Sequence, residues 1–170
     1  MRLRKSVRRL LRDQAAIRLD LGCGANKQPG FVGMDIRDVE GVDIVHDIED
    51  IPWPLPDGSC MAIMASHLVE HINPAKFGMI RFMDECWRVL RTNGQLAIAM
   101  PHGRSPGMLQ DPTHINFCNE TTWAYFDPET TDGMLYSIYR PKPWKIERLT
   151  WSTIGNMEVV LRKRDEVRNA

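Results

Sequence analysis

No apolar stretch of this sequence approaches the roughly 20 residues that a membrane-crossing helix needs, so no segment is expected to span a bilayer. The basic start lacks the apolar core of a secretory signal, and a soluble cytoplasmic protein is the expectation. Cysteine is scarce: Cys23, Cys60, Cys86 and Cys118 stand far apart with no C-x-x-C pair. That excludes a disulfide framework and suits reduced, structural thiols. Net charge is missing as well, because 22 basic and 22 acidic side chains cancel. The bulk electrostatic case for nucleic acid, membrane or acidic partners goes with it. There is no internal repeat and no low-complexity tract.

What remains is a chain of 170 residues with 43% hydrophobic content. One domain over residues 1–170 can bury a real core at this size without disulfides or a structural metal. The charge is locally uneven: Arg2, Arg4, Lys5, Arg8, Arg9 and Arg12 all precede the first acid, Asp13, and Arg162, Lys163, Arg164 and Arg168 cluster near the end. Leu3, Val7, Leu10 and Leu11 recur at helical spacing among the first arginines, which predicts an amphipathic helix within residues 1–15, from about residue 2. A solvated basic face with an apolar stripe docked on the core is the favoured reading, and contact with nucleic acid is the alternative.

Short β-rich runs follow at Ile17 to Leu21, Phe31 to Asp35, Val42 to His46, Met61 to Ala65 and Gln95 to Met100. Several are apolar on consecutive residues, as in strands covered on both faces of a parallel sheet. The clearest helix lies between the last two, with Asn73 as N-cap, Pro74 at the first helical position, Gly94 just past the end, and a stripe of Phe77, Ile80, Met83, Trp87 and Leu90. Pro101 to Asn119 is a long aperiodic loop, of the kind that is usually functional, and Asn119 is placed to cap a short helix through Phe126. Trp144 to Trp151 and Met157 to Leu161 read as a closing antiparallel hairpin. The fold class expected is α/β: a Rossmann-like, doubly wound, mostly parallel sheet with a C-terminal antiparallel hairpin.

The chemistry begins where the first apolar strand runs into Gly22-Cys23-Gly24. Glycine there lets a ligand approach the backbone where a β-carbon would block it. A dinucleotide fingerprint would want a third glycine at position 27, and this chain has Lys27, which weakens a nicotinamide or flavin reading. Asp35 closes the second run and Asp47 follows the third. At strand ends on the carboxyl edge, two such acceptors suit the ribose hydroxyls and the adenine amino group of an adenosyl ligand.

With these stretches the sequence resembles the class I S-adenosylmethionine-dependent methyltransferases, and more closely the small group labelled type 11. The matching blocks are Leu19 to Gly24, Gly33 to Ile36, His46 to Ile48, Leu55 to Ser59, Ser66 to Ile72 and Trp87 to Leu96, in the expected order over residues 17–101. The resemblance implies S-adenosyl-L-methionine as cofactor and methyl transfer as the activity. It places Gly22 and Gly24 at the methionine end, with Asp20, Leu21 and Cys23 beside them. Asp35, with Ile36, would hold the ribose, Asp47 and the Ile48 backbone the adenine, and Ser66 and His67 would face the cofactor from the fourth strand.

Two departures from that pattern predict a trimmed helical layer. The link from Gly22 to Phe31 hardly leaves room for a crossover helix, which needs about a dozen residues or more. Pro52, Pro54 and Pro56 exclude a helix before the fourth strand. The thin side must be covered by the first helix or by a second subunit, which leaves a homodimer open.

A sulfonium methyl is already activated, so the protein mainly aligns the acceptor and, for O–H or N–H acceptors, removes a proton. His67, His71, His102 and His114 fall in loops on the cofactor side. Asp111-Pro112-Thr113-His114 also recurs in similar small methyltransferases, which makes His114 the first candidate for acceptor contact or proton removal, with His71 and Asp111 beside it. Glu70 and His71 are equally readable as hydrogen-bonded structural groups closing a strand end, and His102 as a loop histidine. A metal site built from His71, His102, Asp111 and His114 matches no compact ligand motif, and no metal is expected. The aromatic run Trp123, Tyr125, Phe126, Tyr136 and Tyr139 suits a planar or sugar-like acceptor, core packing or a dimer contact equally well. The expected acceptor is a small molecule or carbohydrate. A nucleic-acid or protein methyltransferase comes second, and a non-catalytic cofactor-binding or interaction protein is the rival from another class.

Overall fold

In the computed structural model, residues 2–13 and 16–165 are described. Eight strands form one sheet: β1 (Arg2–Leu3), β2 (Ile17–Leu21), β3 (Val32–Asp35), β4 (Ile44–Val45), β5 (Cys60–Ser66), β6 (Leu90–Pro101), β7 (Trp144–Trp151) and β8 (Asn156–Lys163). Their spatial order is β1-β4-β3-β2-β5-β6-β8-β7. The five central strands run parallel, with Leu21 opposite Met34 on one side and Ala65 on the other. The two ends are antiparallel: Arg2 and Leu3 pair with β4, and β8 pairs with both β6 and β7.

Leu19, Leu21, Ile63, Ala65, Leu96 and Ile98 line one face of neighbouring strands and are all buried, and in β3 all four residues are buried, so both of its faces are covered. Each buried Leu or Ile among them contributes about 1.5–3 kcal/mol of transfer free energy.

The link between β2 and β3 holds no helix, as the short spacing predicts. It lies directly on β3 because Gly33 has no side chain: a β-carbon there would sit 2.6 Å from Cys23 Sγ and 2.8 Å from Lys27 Cδ. Lys27 Nζ meets Asp43 Oδ2 at 2.6 Å, and that same oxygen accepts the Gly33 N–H at 3.0 Å. The proline segment is also free of helix and instead buries Trp53 and Leu55 in the core. Trp53 packs edge-on against Phe82. Arg88 ties the segment down by donating to the Leu55 carbonyl at 2.9 Å and to Glu85, whose Oε1 also accepts the Trp53 N–H.

Helix α1 spans Lys5–Arg12, shorter than the sequence pattern suggests, because Arg2 and Leu3 pair with the sheet. Val7 is its buried residue, while Leu10 is exposed. Residues 14 and 15 of the expected helix, and Arg168 of the basic terminus, lie outside the described residues. The expected helix from Asn73 to Gly94 is corrected at both ends. Asn73 Oδ1 does accept from Ala75 N–H, but the turn it starts is a short 3-10 turn at Ala75–Phe77. Lys76 and Phe77 are left-handed, and helix α2 begins only at Gly78, ending at Val89. A β-carbon at position 78 would lie 1.8 Å from the Asn73 carbonyl oxygen, so glycine starts the helix here. The buried stripe therefore shifts to Phe82, Met83, Cys86 and Val89, and Phe77 is exposed. Gly94 is a buried residue of β6 rather than a helix stop, since β6 already starts at Leu90.

Within the loop after β6 lies the short helix α3 (Pro106–Leu109). Asn119 caps α4 (Glu120–Ala124) by accepting from Thr121 and Thr122, and α5 (Thr131–Leu135) follows. Among the described residues no helix is long and apolar enough to cross a membrane.

Candidate active site

The parallel strands β2, β3, β4, β5 and β6 all end on one edge, where an open α/β sheet binds its ligands. Gly22 and Gly24 follow β2 with φ of +65° and +51°, a conformation that side chains resist. A β-carbon at Gly24 would lie 2.6 Å from Arg37 Nη2. The neighbouring motif residues face inward. Leu21 is fully buried and Cys23 nearly so, while Asp20 Oδ2 accepts the Gln28 N–H at 2.9 Å and fastens the loop. Burial pushes the Asp20 carboxyl up, with the Gln28 amide working against it. Burial likewise pushes the Cys23 thiol up to about 11.

Asp35 sits buried at the end of β3, while Ile36 beside it is exposed. Its Oδ2 accepts the Gly24 N–H at 2.8 Å, and its Oδ1 accepts from the Arg37 backbone at 2.9 Å and from Arg37 Nε at 3.1 Å. Burial alone would raise its pKa, but the hydrogen bonds from Arg37 and Gly24 outweigh it and hold the carboxyl below its usual range.

Asp47 and Ile48, after β4, line a cavity of about 330 Å³ together with Ile51, Ile72, Arg81 and Phe82. That volume is at the lower end of small-molecule sites. Asp47 Oδ1 accepts the Glu49 N–H, and Glu49 Oε1 in turn accepts the Asn73 N–H at 2.6 Å, closing the cavity rim. The Ile48 carbonyl accepts from Trp53 Nε1 at 2.9 Å. At the end of β5, Ser66 and His67 are exposed. His67 holds φ of +51° and is pinned there by its N–H on the Ala99 carbonyl at 2.8 Å; such strain concentrates at functional sites.

Beyond His67 a cluster forms that sequence spacing does not reveal. Glu70 is fully buried and neither carboxylate oxygen accepts a hydrogen bond, so of the two open readings the hydrogen-bonded structural one fails for Glu70, while His71 Nδ1 does meet Thr113. His67 Nδ1 comes within 3.2 Å of Oε1, off the hydrogen-bond direction. The His71 and His114 rings lie edge to face with centroids 4.8 Å apart. Asp111 Oδ1 accepts from the Thr113 N–H at 2.8 Å and the Thr113 hydroxyl at 2.7 Å, which hold its carboxyl below the usual range. Its Oδ2 lies 3.7 Å from His114 Nε2. His102 is not part of this group. It is buried, accepts the Arg104 N–H on Nδ1, and so carries its proton on Nε2, which donates to Glu120 at 2.9 Å.

The aromatic run divides. Trp123 is core, whereas Tyr125 stacks on Tyr136 at 5.0 Å and borders a cleft of about 460 Å³ with Phe77, Met79, Ile80 and Phe117. Asn116 links cleft and cluster: it lines the cleft and donates its N–H to the Glu70 carbonyl. Arg37 and Arg81 carry no motif of their own; their positions beside Asp35 and the cavity emerge only from the folded chain.

Residues 33–98 match the family model described as "Methyltransferase domain". That match spans 66 of the 170 residues, all within the stretch from β3 to β6. No curated protein matches the chain in sequence. Among solved structures, an S-adenosylmethionine-dependent methyltransferase from Archaeoglobus fulgidus is 20% identical, with a TM-score of 0.61 over 92% of each chain. One from Aquifex aeolicus is 14% identical, with a TM-score of 0.56 over 92% of this chain and 89% of the other. The [4+2]-cyclase SpnF is 15% identical, with a TM-score of 0.55 over 93% of this chain and 80% of its own. At these identities the likeness establishes the fold of the methyltransferase domain, and that fold also hosts a cyclase.

Proposed function

We propose that this enzyme transfers the methyl group of S-adenosylmethionine to a small-molecule acceptor with a flat or apolar body. The carrying observation is the convergence of Gly24, Asp35, Asp47 and His67 on one sheet edge, beside a cavity of about 330 Å³. The residues fit an adenosyl group. The Asp47 carboxylate and Ile48 backbone border a mostly polar cavity in which Ile51, Ile72 and Phe82 offer apolar surface for adenine, Asp35 offers acceptors for ribose hydroxyls once Arg37 swings aside, and the left-handed glycines leave room for the methionine end. When bound, the cofactor supplies an electrophilic methyl carbon on sulfonium sulfur. The chain's own task is to align the acceptor in line with that carbon and to provide an imidazole, from His67, His71 or His114, for a proton leaving oxygen or nitrogen. The cleft lined by Phe77, Tyr125 and Tyr136 supports an apolar or planar acceptor body.

The test is calorimetric titration of the purified protein with S-adenosylmethionine and S-adenosylhomocysteine, with NAD as control. Saturable binding of the first two and about tenfold weaker binding by Asp47→Ala, the loss of roughly one hydrogen bond to a charged group, is the expected result. No binding to folded protein would sink the reading.

A further inference from the structure

We propose that Glu70, His71 and His114 form a binding site for a divalent transition-metal ion of the Zn²⁺ class at the acceptor side of the sheet edge. One ligand atom from each lies within 4.8 Å of the others. Two imidazoles and one carboxylate are a donor set suited to Zn²⁺, Fe²⁺ and their neighbours, with coordination positions left open.

Three independent observations point inward. A carboxylate taken out of water is costly unless paired or coordinated, and both Glu70 oxygens are buried without a donor. His114 Nδ1 is also buried without a partner, while its Nε2 faces Asp111 Oδ2. His71 completes the pattern. The Thr113 hydroxyl gives its proton to Asp111, so the Thr113 hydroxyl oxygen and carbonyl can only accept from His71 Nδ1, at 3.1 and 3.2 Å. Its proton is thus on Nδ1, and the lone pair of the neutral ring is on Nε2. His71 has Nδ1 held by Thr113 and Nε2 left for a ligand, while His114 offers its unpartnered Nδ1 and has Asp111 Oδ2 3.7 Å from Nε2, the kind of outer carboxylate that orients metal-binding imidazoles. His67, half-exposed beside Glu70, is the further imidazole facing the cluster.

The site rests on the methyl-transfer reading only for its purpose: the open positions would take an acceptor oxygen and favour its ionised form. Its test does not depend on turnover. Full-length protein stripped with chelator is titrated with Zn²⁺ alone and, for a visible spectrum, with Co²⁺. One ion per chain should bind, with at least about tenfold weaker binding in His71→Ala, His114→Ala and Glu70→Gln and no change in His46→Ala, which removes an imidazole outside the cluster. Zn²⁺ should raise the melting temperature of the wild type but not of Glu70→Gln, and the metal-free Glu70→Gln protein should melt above the metal-free wild type. Should Glu70→Gln or His114→Ala fail to fold, His71→Ala decides, since its side chain is exposed. Absence of saturable binding, or equal binding by the folded variants, overturns the site. Parallel titration with S-adenosylmethionine separates the two readings: Zn²⁺ binding without cofactor binding keeps the metal site and removes the methyl-transfer reading.

Discussion

Arg37 lies across Asp35, its Nε 3.1 Å from Oδ1, with its guanidinium over the space that a side chain at position 24 would fill. The arginine is mostly exposed, so solvent screens its ion pair and the contact is worth little. It occupies an acceptor that a ribose would need. Arg37→Ala should bind S-adenosylmethionine at least as tightly as the wild type by calorimetry. A clear loss of affinity would show that Arg37 holds the cofactor instead of competing with it.

Asp35→Asn should weaken cofactor binding by about 10- to 100-fold, the range for a hydrogen bond to a charged group. It should also reshape stability against pH. The native carboxyl is held below its unfolded value near 3.9, so its contribution is complete above about pH 4 and is lost as pH falls through the native value. Denaturant unfolding should therefore find the variant less stable at pH 7, and the gap should close under strongly acid conditions.

Trp53→Ala should cost about 3–5 kcal/mol in denaturant unfolding, because a fully buried indole is removed. The same change frees the Ile48 carbonyl at the cavity wall, so the folded fraction should also show weaker cofactor binding.

None of the four thiols should react with a disulfide reagent at pH 8 in the native protein. Burial pushes Cys60 and Cys118 up to about 12, Cys23 to about 11, and Cys86 well above its ordinary value. All four should react in denaturant; reaction of a native thiol would show that its segment opens.

The sheet was legible because its central strands are apolar on consecutive residues, and the hairpin because two amphipathic strands flank a turn. The helix before β6 was misread at both ends. Pro74 and Gly94 look like start and stop residues, but left-handed Lys76 and Phe77 delay the start, and Gly94 is buried in β6. Of the candidate site, the acids at strand ends were readable because each follows its own strand. His71 and His114 were read as neighbours on the same edge, but Glu70 as the buried acid between them was not, since the chain between residues 71 and 114 passes through α2 and β6 before returning. His102, nearer in sequence to His114 than either partner, turns away to Glu120.

The helixless link between β2 and β3 also bears on which nucleotides this edge would accept. Where a helix follows such a glycine turn, its amino end concentrates positive potential and gathers a phosphate. Here the chain passes from Gly24 to Val32 through turns alone, and the nearby Lys27 ammonium is committed to Asp43. A pyrophosphate-bearing nucleotide would find no helix dipole to rest on here, so NAD is expected to show no saturable binding in the control titration.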